Sequence, residues 1–185
     1  MKQKAIVAIF TVMALFIFPA CGNSSNNNEQ LHLGGNNSQT QLKTSDPVIT
    51  AQVENDDKLV NEVTSLFKSY IKMTNEYDDS IADLYADHAN ITFKIQTDTE
   101  DISNQAFTGA TYKQMIVHAM PVAKERGDTD TFSDIKYTVI ANNTVKIEAM
   151  RYNHFYKYTS PYSSILEKSD TGEWLITAEM LEIHR

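Results

Sequence analysis

Cysteine is nearly missing from this chain: among 185 residues there is one, Cys21. A lone thiol cannot close a disulfide within the chain, and it excludes a cysteine-rich zinc site. Basic residues are in deficit, with 16 Lys and Arg against 24 Asp and Glu and a formal net charge of −8. Neutralising phosphates takes a basic surplus, so no nucleic-acid partner is expected. Gly-x-Ser-x-Gly and glycine-rich phosphate loops do not occur. No two histidines have a zinc-like spacing, and the acidic stretch Asp98-Thr99-Glu100-Asp101 lacks the glycine and ligand order of a calcium loop. No metal and no cofactor is expected. The length leaves room for one domain with tails, not for a second, cofactor-binding domain.

What is present begins with an address. Lys2 and Lys4 precede an uncharged run, Ala5 to Ala20, which ends in Phe18-Pro19-Ala20-Cys21. A basic start, a short apolar core and a small residue before the cut are the parts of a secretory signal. The run falls short of the ~20 apolar residues that a spanning helix needs. The single cysteine stands where the run stops. Ala20-Cys21-Gly22 resembles the lipobox of bacterial lipoproteins, with Phe18 in the place of the usual aliphatic residue. The resemblance implies that residues 1–20 are a lipoprotein signal peptide and that Cys21 carries the lipid, a palmitate-type acyl anchor. The membrane is then a partner through that anchor. The address would be the cell envelope: the periplasmic face of the outer membrane in a two-membrane cell, as Gly22 suggests, and otherwise the outer face of the cell membrane. Cleavage removes Lys2 and Lys4 and takes the net charge from −8 to −10, so the body is repelled by anionic headgroups.

Residues 21–52 read as the lipidated cysteine and a flexible linker. Gly22 to Asn28 and Gly34 to Thr40 are Asn-, Ser- and Gly-rich, without aromatic residues or hydrophobic periodicity. Such a composition buries too little apolar area to offset ordering entropy. A flexible coil of ~29 residues reaches roughly 30 Å.

Residues 53–185 read as one α+β domain. Leu59, Val63, Leu66, Phe67, Tyr70, Thr74 and Tyr77 recur at helical spacing, with Asn55 or Asp56 as caps. Asp78 or Asp79 opens a short second helix through Ile81, Leu84 and Tyr85. Ala89, Ile91, Phe93 and Ile95 alternate with polar residues as a half-buried strand. Thr97 to Gly109 is polar and loop-like. Thr111 with Gln114 has the capping-box spacing, the stripe Tyr112, Met115, Ile116, Ala119, Val122 and Ala123 comes next, and Gly127 stops the helix. Pro121 is expected to kink it or to end its regular part. From Thr131 on, strands alternate: Ile135, Tyr137 and Val139; then, after Asn142-Asn143, Val145, Ile147 and Ala149, running on towards Tyr156. A third runs from Tyr158 to Glu167, where Pro161 suggests a bulge or an edge. After Ser169-Asp170-Thr171-Gly172 comes Trp174, Ile176, Ala178 and Met180.

This order of elements resembles the nuclear transport factor 2-like superfamily, the cone fold shared with ketosteroid isomerase and SnoaL-like cyclases. The long first helix running into Asp83-Leu84-Tyr85-Ala86-Asp87-His88-Ala89-Asn90-Ile91, the helix before a strand meander, and the closing Gly172-Glu173-Trp174-Leu175-Ile176 carry it. The resemblance implies a curved antiparallel sheet wrapped on about three helices, a pocket between them, and a homodimer contact on the outer sheet face. It does not settle function, since the superfamily holds enzymes, carriers and adaptors.

Strand parity selects candidate pocket residues. Val145, Ile147 and Ala149 continue in phase to Arg151 and Asn153. Trp174, Ile176, Ala178 and Met180 continue to Glu182 and His184, which leaves Glu179, Leu181 and Ile183 outward. Arg151 either fixes a carboxylate or phosphate by a bidentate contact, or sits at the rim in water or paired with an acid such as Glu182. Tyr70, Tyr85, Tyr112 and Tyr137, with Trp174 and Met180, complete the lining, either as ligand contacts or as ordinary core. Of the histidines, His88 at a helix end and His118 at a stripe margin are proton-carrier candidates, and His154 is off the inward parity. In ketosteroid isomerase, by resemblance, the work falls to an inward aspartate with a tyrosine partner. No mid-strand inward aspartate is found in the closing strands, and Asp134 is on the wrong parity. No catalytic residue is therefore assigned.

The expectation is a non-catalytic binding domain for a small molecule, with an anion among the candidates, or for an envelope protein. The alternatives are a small SnoaL- or ketosteroid-isomerase-like enzyme on an apolar substrate, using a tyrosine with His118 or Glu182, and a structural dimerisation module.

Overall fold

Leu59, Val63, Phe67 and Tyr70 form one buried stripe of a 30-residue helix, α1 (Pro47–Glu76). The computed structural model describes residues 47–97 and 102–184, with side chains from residue 54. The expected signal segment, Cys21, residues 22–46 and the acidic stretch 98–101 lie outside the described residues. The helix starts ahead of the caps expected at Asn55 or Asp56. Pro47 suits a first turn, because its missing N–H would have no partner there, and neither Gly nor a second Pro interrupts the helix between Val48 and Glu76.

Tyr77, at φ 59, ends α1, and Asp78 caps a 3₁₀ helix (Asp79–Leu84) by accepting from the Ser80 amide at 3.0 Å. The chain then turns into a strand sooner than the apolar spacing suggests. Tyr85 and His88 belong to β1 (Tyr85–Gln96), not to a helix end. The polar stretch expected to be a loop contains β2 (Ile102–Thr108), an edge strand paired with β1 from Gln96↔Ile102 to Asn90↔Thr108. Phe107 turns its ring inward onto Phe93, with ring centroids 5.4 Å apart, while Ile102 is exposed. One anchored ring leaves no alternation for a sequence to display.

α2 (Gly109–Arg126) is capped by Thr108, whose hydroxyl accepts from the Thr111 amide at 3.3 Å. The cap lies three residues before the expected Thr111. Gly109 is required here: a Cβ would stand 1.8 Å from the Ala86 carbonyl oxygen. The helix runs through Pro121 and stops at Gly127, φ 64, which is the left-handed cap expected of it. Tyr112, Ile116, Met120 and Ala123 are its buried face.

Four strands complete the chain: β3 (Asp130–Ala141), β4 (Thr144–Asn153), β5 (Tyr158–Lys168) and β6 (Trp174–His184). β4 ends at Asn153, short of the expected Tyr156, and a turn with Lys157 at φ 58 leads into β5. The class is α+β, as expected: one curved six-stranded sheet wrapped on the helices in the order β2-β1-β6-β5-β4-β3. The sheet is mixed rather than wholly antiparallel, because β6 returns to the free side of β1 and runs parallel to it. Pro161 lies on an interior strand. It faces Met150 of β4, while the β6 pairing begins only at Tyr162↔Leu181, so no ladder bond to β6 is lost there.

Two irregularities change which side chains face the helices. In β3 the register with β4 slips between Ser133 and Lys136, and Asp134 between them sits at φ 52. Phe132, Tyr137 and Val139 face the core, and Ile135, expected inward, is exposed. In β6 the pairing steps from Ile165↔Ala178 to Leu166↔Ile176, so Thr177 is the extra residue of a bulge. Trp174 and Ile176 face inward before it, and Glu179, Leu181 and Ile183 after it. The expected inward continuation to Met180, Glu182 and His184 is overturned at that bulge.

Candidate functional site

The site grows from the inner faces of β4 and β6, the C-terminal end of α1 and the buried face of α2. Tyr70 and Thr74 come from the last two turns of α1, Ile81 from the 3₁₀ helix, Tyr85 from the start of β1, and Tyr112, Ile116 and Met120 from α2. Asp128, Asp130, Arg151, Asn153 and Leu181 close a partly enclosed pocket with a cavity of about 50 Å³. On this measure one water takes ~10–15 Å³, so the space holds roughly three to five water-sized groups.

Arg151 is in phase with the apolar face of β4, as parity implied, and it is 2% exposed. Its Nη2 donates to the Tyr158 hydroxyl at 2.8 Å and to the Glu182 carbonyl at 3.1 Å, and its Nη1 lies 3.7 Å from Oδ2 of Asp130. The acid that pairs with it is thus Asp130, and Glu182 contributes only its backbone. Burial works against the guanidinium charge, but Asp130, Tyr158 and Tyr70 outweigh it and raise its pKa further. Tyr158 in turn stacks on His184 with centroids 4.7 Å apart.

Asn153 is a clamp between the two aspartates. Its Nδ2 donates to Oδ1 of Asp128 at 2.7 Å and to Oδ1 of Asp130 at 3.0 Å, while its Oδ1 accepts from the Tyr156 amide at 2.8 Å. Asn75 fixes the Asp130 backbone from the end of α1, accepting from its N–H at 2.8 Å and donating to its carbonyl at 2.9 Å. Asp128 is 7% exposed. Burial pushes its carboxyl above the ordinary aspartate value, the Asn153 hydrogen bond opposes this, and neighbouring Asp130 adds to it.

Behind the tyrosine wall lies Glu179, which unbroken strand parity places outward. It is 2% exposed, and three phenols donate to it: Tyr70 at 3.0 Å and Tyr162 at 2.9 Å to Oε1, and Tyr85 at 2.9 Å to Oε2. Burial raises its pKa, and the hydrogen bonds from Tyr162, Tyr85 and Tyr70 pull the other way. The same burial, with the Glu179 charge beside them, holds all three phenols well above their ordinary value and therefore neutral. Tyr112, raised for the same reasons, packs edge-on to Tyr85 at 5.0 Å.

Of the residues singled out in the sequence, Tyr70, Tyr85, Tyr112, Arg151 and Asn153 meet at this pocket. Tyr137, Trp174 and Met180 do not. Tyr137 packs edge-on to Phe67 at 6.4 Å, further along the core. Trp174 is at the other end of β6, where its Nε1 donates to Glu62 at 2.8 Å beside Lys168. Met180 lies beyond the bulge and faces out, 36% exposed. The proton carriers considered for an enzyme also lie elsewhere. His118 is on the exposed side of α2, His88 is exposed on β1, and the Glu182 carboxylate bonds Lys94 at 2.7 Å and His184 at 2.9 Å.

Glu179, Asp128 and Asp130 are the polar site residues that parity and motif do not single out. For Glu179 a signal was there: Trp174 and Ile176 are apolar on one parity, Leu181 and Ile183 on the other, and a strand that is apolar on both parities in turn has changed phase. Asp128 and Asp130 come after a helix stop and carry no such mark. Among the described residues no group of His, Cys, Asp and Glu could hold a metal, and no helix is long and apolar enough to cross a membrane.

No family model and no curated protein matches the chain. Solved structures do. An uncharacterized protein with a cystatin-like fold from Caulobacter vibrioides is similar at 9% identity and a TM-score of 0.50, over 66% of this chain and 87% of that one. An NTF-2 like protein of unknown function from Shewanella oneidensis MR-1 is 16% identical with a TM-score of 0.49, over 66% of this chain and 98% of that one. At such identities the likeness is one of fold.

Proposed function

We propose that this is a membrane-tethered bacterial lipoprotein whose domain binds a small polar molecule in the cone pocket without transforming it. One observation carries the binding half: a set of desolvated, mutually braced polar groups surrounds a cavity of about 50 Å³ instead of collapsing on it. Holding Arg151, Asn153 and Asp128 buried, with Asp130 half-buried beside them, is costly unless each is hydrogen-bonded or paired, and a domain needing only a core would be served by apolar residues. The non-catalytic half is supported by Glu179. A base must reach the proton it takes, and this carboxylate is occupied by three phenols on the far side of the tyrosine wall.

The tether is supported by Ala20-Cys21-Gly22 after a short apolar run. In cells fed an alkyne-tagged fatty acid, the chain is expected to take up the tag, fractionate with membranes and lose both properties as Cys21→Ser. Unlabelled protein released to the soluble fraction would overturn the anchor. For the pocket, a thermal-shift panel of ligands with three to five heavy atoms is expected to give at least one stabiliser.

A second reading has one observation in its favour. Asp128 lines the pocket with its carboxyl raised above the ordinary range, as a proton-transfer group requires. If the stabilising ligand exchanges a carbon-bound hydrogen for deuterium in heavy water, and Asp128→Asn stops the exchange, the domain is an enzyme. The binding reading expects no exchange.

A further inference from the structure

A count of donors and acceptors around the pocket limits what can fill it. Both amide hydrogens of Asn153 are used, on Asp128 and Asp130. Both Nη2 hydrogens of Arg151 are used, on Tyr158 and the Glu182 carbonyl, and Nη1 faces Asp130. The single hydrogens of Tyr70 and Tyr85 are used on Glu179. A phenol that has given its hydrogen can only accept, and a carboxylate accepts at about four lone-pair positions. Thr74 gives its hydrogen to the Tyr70 carbonyl, so the Tyr112 hydroxyl and Nη1 of Arg151 are the donors left in the lining, against acceptors on two carboxyls and two phenols.

The charges point the same way. The lining sets two carboxyls, Asp128 and Asp130, against one guanidinium, with Arg126 acting on Asp128 from outside the lining, and Glu179 lies behind the phenols that line the wall. The remaining faces are apolar: Ile81, Ile116, Met120 and Leu181. An anion, the ligand first expected at Arg151, would find that guanidinium already paired and two carboxylates beside it.

We infer that the pocket takes a primary ammonium group on a short apolar stem, of about three to five heavy atoms in all, with the ammonium at Asp128 and Asp130 and the stem against Ile116 and Met120. The inference rests on the reading of this cavity as a binding site, and it names the ligand class. A free short-chain amine and the ammonium terminus of a longer chain share this chemistry.

The test uses the full chain in detergent, with thermal midpoint and calorimetric titration as readouts. Propylammonium is expected to raise the midpoint, while propionate, propanol and tetramethylammonium do not, the last because it carries charge but no donor. Asp128→Asn is expected to weaken propylammonium by roughly tenfold to a hundredfold, the range of a charged hydrogen bond. Ile116→Trp fills the stem side, leaves both carboxylates in place and is expected to abolish binding, which covers the case in which Asp128→Asn does not fold. Affinity that peaks at propyl or butyl identifies a free amine. Affinity that persists for Nα-acetyl-lysine amide identifies a chain terminus. Stabilisation by propionate or propanol but not by propylammonium overturns the inference and leaves the binding reading standing. No stabilisation by any member of the panel overturns both.

Discussion

The Tyr85 hydroxyl stands 2.9 Å from Oε2 of Glu179, and the rings of Tyr70 and Tyr162 bring two more phenols to Oε1. Among the described residues no cation is hydrogen-bonded to this carboxylate. Three neutral donors do the work that water would do outside, and they come from α1, β1 and β5, so the acid joins three elements to β6.

Removing the acceptor should cost more than removing any one donor. Glu179→Ala leaves three buried phenols without a partner, at ~1–3 kcal/mol each if nothing replaces it, so a loss of about 3 kcal/mol or more is expected. Tyr162→Phe should cost about 1–2 kcal/mol. Urea unfolding monitored by the fluorescence of Trp174, the only tryptophan, measures both. Equal losses would mean that the phenols find other partners.

The same residue sets a pH dependence. Its carboxyl is raised in the folded state, chiefly by burial, against an unfolded value of about 4.3. Between those two values the folded state holds the proton and the unfolded chain releases it, so this group's contribution is full below the unfolded value and falls as pH rises to the folded one. Asp128, also raised by burial, acts in the same direction. The stability of the natural chain relative to Glu179→Gln should therefore decline from about pH 4 upward. A difference that grows with pH would mean that the phenols hold the carboxyl below its ordinary range.

Gly109 tests the seating of α2 on β1. In Gly109→Ala the new methyl would meet the Ala86 carbonyl at 1.8 Å, and either the helix or the strand must shift. A loss of about 2–3 kcal/mol is expected, the upper range for overpacking, although alanine is the better helix former. A neutral result in urea unfolding would show that the contact relaxes freely.

Arg151→Met should destabilise by about 3 kcal/mol, since it leaves the half-buried Asp130 beside Asp128 with its cation gone. Arg151→Lys should recover only part of this, because one ammonium does not reproduce the planar fork that reaches the Tyr158 hydroxyl and the Glu182 carbonyl together. Full recovery by lysine would assign the loss to charge alone.

Local sequence determined the elements whose signals are local. The α1 stripe from Leu59 to Tyr70, the stop at Gly127, the turns at Asn142-Asn143 and Ser169 to Gly172, and the inward phase of Val145, Ile147, Ala149, Arg151 and Asn153 come from periodicity and turn chemistry within a few residues. The α+β class comes from their order. What tertiary pairing decided is the site. The Thr177 bulge, where the β5–β6 register shifts, turned Glu179 from the outer face to the inner one and sent Met180 out. The slip at Asp134 did the same for Ile135. A one-residue slip reverses every side chain beyond it, and the place of the slip is fixed by the pairing with the neighbouring strands. Asp130 is held as a pocket residue by Asn75 at its backbone and Asn153 at its carboxylate, far apart in the chain, and Asp128 by Asn153.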